Sequence, residues 1–595
     1  MKEKLFSLFS IFVKRFEMPW IKTADIAMRS FSRNERMVFA FLGTTMVLSA
    51  LLIVWNMNRS FLVEVPAHGG MFTEGAIRSP GFINPLFSTS ERALEVDRDL
   101  TALIYSGLLR ATPNGKLILD LADYYEISPD GLTYTFTLKD NVYWHDGEPI
   151  TADDIVFTII KAQTSALKSP KRANWDGVAV EALSDRTVRF ILENPYPPFL
   201  ENMTMGILPK HIWESIDPAQ FEYNRYNREP IGSGPYKWIS IKRDSNDIPL
   251  YYDLEAFDKF ALGKPYIDNI RIKFYGNEEN LLEALRAGEI DSTAYVSPEA
   301  ASKLESEGFR IETTPMRHVF GVFLNQNQKE IFTNKIVRRA LEKSVDVKRI
   351  INEVFYGYAT AIDGPLPPGS LGFTEKESTE PTPAERLEEA RSLLEKDGWK
   401  YDEEEHVMIK KTKTETQKLA FSISTISPSV IPALKGAVTI LKENWDALGG
   451  NIDVKIFETP GDLRQNAIRP RKYDALLFGE VIGRDNDPYA FWHSSQRLDP
   501  GLNIALYTSI TGDKLLEEAR AMGDNEKRTE TYAEWSEELK NDIPAVFLYS
   551  PHLIYVASPR ISGMNMGNVV TPSERLLSIH EWYVEKTNVW KIFTQ

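Results

Sequence analysis

Two short stretches concentrate the residue types that hold a ligand: WHDGEP at Trp144 to Pro149 and RDNDPYAFWHSSQ at Arg484 to Gln496. Each mixes aromatic rings with charged and hydroxyl groups, the combination that lines pockets where a ligand is stacked and fixed by a few hydrogen bonds. In the second, Asp485, Asp487, His493 and Ser494 surround Tyr489, Phe491 and Trp492. A carboxylate beside aromatic walls suits a cationic group such as a peptide amine. The same aspartates also suit a turn cap ahead of Pro488, and the residues alone leave both roles open.

Groups that make or break bonds are harder to find. The 595 residues include no cysteine, which removes disulfides, thiolate zinc sites, iron–sulfur clusters, catalytic thiols and thioether-linked lipid. None of the eight histidines pairs with another at helical or finger spacing, and there is no HExxH. The hydrolase elbow GxSxG, the nucleotide loop GxxxxGK[ST] and a strand-borne GxGxxG are also missing. The GSG at Gly232 to Gly234, inside PIGSGPYKW, has no lysine after it and reads as a tight turn. Abundant carboxylates leave a two-carboxylate glycosidase open. The expectation is a binding protein, with no catalysis, cofactor or metal.

The elements that position these stretches belong to a globular chain, 43% hydrophobic and 26% charged. Its length is a prior for about three to five domains. A net charge of -15 argues against nucleic acid as a partner. Period-two alternation over Leu132 to Lys139, bounded by Asp130-Gly131 and Asp140-Asn141, predicts a strand. Thr151 with Asp154 three residues on opens a helix, as does Thr382 with Pro383 and Glu385, the latter helix stopping at Gly398. Further helices are predicted at 279–287, 334–344, 431–448 and 513–522. Glu375 to Arg386 and Asp402 to Gln417 read as solvated loop or hairpin edge.

Met37 to Asn58 is a run of 22 residues without a charge, long enough to cross a hydrocarbon core of about 30 Å. It ends in IVWNMNRSF, not in a small-residue cleavage site, and reads as an uncleaved signal anchor. Residues 1–36 carry eight basic and four acidic groups, so the tail is expected in the cytoplasm and everything beyond Arg59 outside. The charge divides accordingly, +4 for the tail and -19 for the rest. LFSLFSIFVKRF near the start could lie as an interfacial helix.

From about Gly70 to Ser578 the chain resembles the extracellular solute-binding proteins, family 5, the oligopeptide and dipeptide receptors of ABC importers. The most specific stretch is GLTYTFTLKDNVYWHDGEPITADDIVFTI, Gly131 to Ile159. ILPKHIW, PIGSGPYKW, ALRAGEID, FLNQNQKEIFTNKIVRRALEKSVD, YDALLFG, DNDPYAFWHSSQ and IPAVFLYSPHLIYV follow in family order. The resemblance implies an α/β, two-lobed periplasmic-binding-protein-like fold (type II, cluster C) with an inserted domain, here behind one N-terminal transmembrane helix. Carried over by motif, lobe I is 64–98, 228–315 and 552–595, the inserted domain 99–227 and lobe II 316–551. Hinge strands fall near Thr314 to Val322 and Phe547 to His552.

The implied function is a membrane-tethered extracytoplasmic receptor, monomeric, that binds peptides in the interlobe cleft and delivers them to a permease. Nickel chelates, haem, oligosaccharides and opines are the alternative ligands of this fold, and a membrane-anchored enzyme or chaperone on the same fold is the alternative of another class. Many such receptors are tethered through a lipidated cysteine. Here residues 37–58 would hold the bilayer instead. An aspartate four residues before the Asp-Pro proline commonly takes the peptide amine. At that place this chain has Arg484, which suits a carboxylate, while Asp485 or Asp487 could serve the amine after a one-residue shift. Arg484, Asp485, Asp487, Tyr489, Trp492, His493, Ser494 and Asn325 are the candidate ligand residues. Trp144, His145, Asp146 and Gly147 are expected mainly to hold the fold, with Trp144 as a core anchor and Asp146-Gly147 as a turn.

Overall fold

The structure is a computed structural model that describes residues 27, 30–90, 93–374, 381–413, 415–484, 486–522 and 525–593. It divides into two units, Met1–Ala67 with Lys586–Gln595, and His68–Glu585.

In the first unit the uncharged run forms the 29-residue helix Arg33–Phe61, with no buried residue. Ser32 and Glu35 close its N-terminus: the Glu35 carboxylate accepts from the Ser32 backbone N–H at 2.7 Å, and the Ser32 hydroxyl accepts from the Glu35 N–H at 3.4 Å. The helix passes directly into the strand Leu62–Ala67, which pairs with Glu585–Trp590. Residues 1–26, including LFSLFSIFVKRF, lie outside the described residues.

The second unit is built on a 12-stranded mixed sheet. Ala545–Ala557 runs through its middle and joins two halves. On one side come His318–Leu324, Ala475–Val481, Ala420–Ile426 and Asn451–Phe457, the last three mutually parallel. On the other come Ser292–Thr293, Met71–Ile77 and Asn269–Tyr275, parallel to one another, then the antiparallel Pro249–Ala256 and Tyr236–Arg243. Two large apolar cores follow the same division. One draws its buried residues from 319–549, the other from 72–272 and 555–582. The chain crosses between them at Pro315 to His318 and again along Ala545–Ala557.

The predicted local elements form. Thr133–Leu138 is a strand in the antiparallel sheet with Ala122–Ile127, Thr187–Ile191 and Ala179–Ser184. Helix Ala152–Gln163 starts where the Asp154 carboxylate accepts from the Thr151 N–H at 2.9 Å, and Pro383–Lys396 starts where Glu385 accepts from the Thr382 N–H at 2.7 Å. Glu278–Arg286, Lys335–Ser344, Ala433–Ala447 and Ile510–Ala521 form where the other four helices are predicted. Asp402 to Gln417 is a hairpin edge: Val407–Lys411 pairs on one side with Lys400–Asp402 and on the other with Thr416–Lys418, burying Val407 and Met408.

One buried ionic cluster fastens distant segments of the half built on residues 72–272 and 555–582. The Arg575 guanidinium, 0% exposed, donates to both Asp99 oxygens at 2.8 Å and to Glu74 Oε1 at 2.9 Å. The remaining Glu74 oxygen accepts from the Tyr555 and Ser292 hydroxyls at 2.8 and 2.6 Å, and Asp99 accepts from the Tyr295 hydroxyl at 3.0 Å. One guanidinium is thereby shared by two carboxylates, and the hydroxyls donate to the oxygens that remain, the kind of hydrogen bonding that lets buried ions be tolerated.

Candidate functional site

Between the two cores lies a cavity of about 410 Å³. Arg98, Tyr105, Lys171, Tyr196 and Glu574 line it from the half built on residues 72–272 and 555–582, and Gly483 and Arg484 from the other. Arg484 therefore stands in the cleft, but its charge is already engaged, in an ion pair with Glu574 across it. Glu574 also accepts from the Val570 N–H at 2.7 Å.

The other cations of the cleft differ in how far they are compensated. Arg98 pairs with Glu95 at 2.7 Å and donates to the Ser88 carbonyl, and Arg110 pairs with the buried Asp120 at 2.8 Å. The half-buried Lys171 ammonium has no hydrogen-bond or ion-pair partner among the described residues. Burial pulls its pKa below the usual lysine value, the Arg98 charge adds to that, and Glu574 opposes it. A partly desolvated cation with no direct ion pair is a place where an incoming carboxylate gains more than it would in water.

The other described residues of the 484–496 loop do not line this cavity. Asp487 takes Arg520 Nε at 3.0 Å and caps the turn through the Tyr489 N–H at 3.1 Å, so its carboxylate is engaged without a ligand. Tyr489 stacks on His493 at 4.1 Å, and the Arg520 guanidinium lies over both Tyr489 and Tyr196, at 4.5 and 5.1 Å. Trp492 is wholly buried against Phe323, Trp535 and Phe547. His493 Nδ1 meets the Ser495 hydroxyl at 2.7 Å with Glu517 near Nε2 at 3.3 Å, and the Ser494 N–H donates to Asp513. Asp485 lies outside the described residues. Asn325 is also buried away from the cleft. Its amide oxygen accepts from the Asn327 and Gln328 N–H groups, and its NH₂ donates to the Arg471 carbonyl.

The WHDG stretch packs against the GSG turn. The His145 N–H donates to the Gly232 carbonyl at 2.8 Å, Nδ1 accepts from the Gly232 N–H, and Nε2–H donates to the Gly234 carbonyl at 3.1 Å. This is a neutral imidazole, and burial pushes its pKa down to about 4. Trp144 is fully buried, Gly147 takes φ +96° in the turn, and Asp146 accepts from His211 at 2.9 Å. The two glycines of GSG are needed for close approach: a Cβ on Gly232 or Gly234 would stand 2.0 or 2.6 Å from the Ile104 carbonyl group.

A second chamber, about 310 Å³, opens inside the other half, with Phe478, Phe491, Leu502 and Ile504 on its walls and Glu480 among its lining. Among the described residues no well-formed hydrogen bond reaches either Glu480 oxygen; burial drives its carboxyl well above the usual carboxylate range, and the Trp492 indole opposes that.

The cavity residues Lys171 and Glu574 carry no signal in the sequence. Lys171 sits in a KSPKR loop and Glu574 in a Pro-capped turn, and each reads as solvated until the fold places it.

Known proteins place this architecture. The chain is 27% identical over 531 residues to the oligopeptide-binding protein AppA of Bacillus subtilis, covering 88% of this chain and 93% of that one. The structure of AppA in complex with a nonapeptide superposes with a TM-score of 0.65 over 88% of this chain and all of that one, at 26% identity. The substrate-binding protein CtaP of Listeria monocytogenes does so at 0.70 over 87% of this chain and all of that one, also at 26%. NikZ of Campylobacter jejuni, in complex with Ni(L-His), scores 0.65 at 25% identity over 86% of this chain and 99% of that one. The two halves are thus the two lobes of a periplasmic-binding-protein-like fold. The profile of the bacterial extracellular solute-binding proteins, family 5 (Middle), matches residues 116–499, and the chain belongs to that family.

Proposed function

We propose that this protein is the membrane-tethered, extracytoplasmic substrate-binding subunit of an ABC importer, and that it binds peptides in the cavity between the lobes and delivers them to a permease. The observation that carries the reading is the cavity itself, framed by both lobes and lined by a cation, Lys171, that has no direct ion pair or hydrogen bond on its ammonium among the described residues. A peptide carboxylate on Lys171 is the first contact of the bound state. The amine has no aspartate at the expected place, because Arg484 stands there and is held by Glu574. Lobe I comprises 64–98, 228–315 and 552–595, the inserted domain 99–227, and lobe II 316–551. The strand pairs around 314–322 and 547–552 act as the hinge, and a ligand that touches both lobes shifts the population toward the closed form by its better contacts there.

Helix Arg33–Phe61 supplies the tether, with the basic N-terminal tail in the cytoplasm and the body outside as a monomer. The test is to purify the full chain in detergent micelles, release what is bound under denaturing conditions and identify it by mass spectrometry. Heterogeneous short peptides are expected. A single sugar, or a metal chelate with no peptide, overturns the reading.

A further inference from the structure

The ribbon that follows the tether brings together two parts of the chain more than 500 residues apart. From Met37 to Asn58 the helix rises about 32 Å, close to the thickness of a hydrocarbon core, so Asn58 and Arg59 mark its outer boundary. Trp590 is fastened at that level: its indole N–H donates to the Asn58 side-chain oxygen at 3.0 Å. Trp55 lies one turn below, with the Arg59 guanidinium 5.6 Å from its ring centre.

Past Trp590 the chain makes one 3-10 turn, Lys591–Phe593, and holds Ile592 69% exposed beside a Trp590 that is 47% exposed. Phe61 and Val63, on the facing strand and its junction with the helix, are exposed as well. Residues 586–593, KTNVWKIF, contain two lysines and no acid, although the chain beyond Arg59 carries -20 overall.

We propose that Lys586 to Phe593 is a second membrane contact, in which Trp590 and Ile592 enter the outer headgroup and acyl boundary beside the end of the tether. The occupant of this apolar face is the lipid bilayer. Its continuity with the spanning helix decides this, because the hydrogen bond to Asn58 leaves Trp590 at the depth where indole rings are enriched, apolar body inward and N–H satisfied. The chain would then be held at the bilayer both where the body begins and where it ends. This inference rests on the reading of Arg33–Phe61 as a membrane span.

The absence of cysteine makes the test direct, since one introduced cysteine labels one place. The full chain is reconstituted in lipid vesicles with an environment-sensitive fluorophore at Ile592→Cys, at Thr587→Cys higher on the ribbon, or at Val47→Cys inside the helix. Nitroxide lipids labelled near the headgroup or deep in the acyl chain, and aqueous iodide, serve as quenchers. The expected result is a blue-shifted Ile592 label that loses emission to the headgroup nitroxide, a Val47 label that loses it to the deep nitroxide, and a Thr587 label that loses it only to iodide. If Val47 responds but Ile592 is quenched by iodide alone, the second contact is overturned while the tether stands. If Ile592 is shielded from iodide and lipid alike, a protein surface covers it, a second copy or a membrane subunit, and the proposal also falls. If Val47 itself is not reached by lipid, the span is wrong and the inference goes with it.

Discussion

Replacing Glu480 by glutamine should stabilise the protein, and by more at higher pH. Glu480 sits on strand Ala475–Val481 opposite Val319, it is 3% exposed, and among the described residues no well-formed hydrogen bond reaches either oxygen, the Trp492 indole opposing the effect of burial only in part. An ionised carboxylate in such a place would lack both solvation and a partner, so the folded protein keeps it protonated. In the unfolded chain the same group ionises near pH ~4.3. Above that pH folding must therefore take up a proton, and stability falls as pH rises for as long as the buried carboxyl stays neutral. The slope is about 1.4 kcal/mol per pH unit, or about 3 kcal/mol between pH 5 and pH 7. Glutamine has the same shape, is neutral at every pH and removes this term. Burial also raises the carboxyls of Asp97, Asp154 and Glu342, but these are common to both proteins and cancel in the difference. The assay is urea unfolding of wild type and Glu480→Gln, followed by tryptophan fluorescence at several pH values from 5 to 7.5. A difference that stays flat across that range would refute the reasoning, because it would mean that Glu480 is charged in the fold and has a counter-charge.

Arg575→Met leaves Asp99 and Glu74 buried without their cation and should cost about 3–5 kcal/mol in the same unfolding experiment. His145 is held neutral with its pKa near about 4, and His580 likewise, so the stability tied to their neutral rings is complete above pH ~6.5 and lost as pH falls toward 4. NMR of histidine-labelled protein should show both rings uncharged at pH 5, and a ring already protonated there would contradict the packing. Lys171→Met should weaken binding of peptides with a free carboxylate about 10- to 100-fold, the range of a charge-assisted hydrogen bond, and leave amidated peptides unchanged in calorimetry. Equal loss for both peptide forms would remove Lys171 from carboxylate binding. Gly232→Ala forces a methyl into the Ile104 carbonyl and should cost about 1–3 kcal/mol, read by denaturation.

The local elements were legible because their signals are local. Thr151 with Asp154 and Thr382 with Glu385 set helix starts through contacts three residues long, and strand Thr133–Leu138 shows its buried face by alternation. The uncharged run from Met37 predicts its helix for the same reason: every backbone hydrogen bond closes within the segment. The family, too, is written in motifs that survive as short strings.

The candidate site was legible only at Arg484. Asp487 looks available until Arg520, 33 residues on, is folded against it, and Asn325 looks like a cleft residue until the Arg471 carbonyl takes its amide. Lys171 and Glu574 look like ordinary surface charges, yet the first is left unpaired in the cleft and the second holds Arg484 across it. Composition and spacing by themselves determined the uncharged span, the chemistries that are excluded and the helices and strands that local hydrogen bonding dictates, and the resemblance of short motifs supplied the family. The tertiary structure alone decided which charges cancel and which one remains, because whether a side chain is free depends on partners brought from hundreds of residues away, and that pairing is set by packing and not by sequence distance.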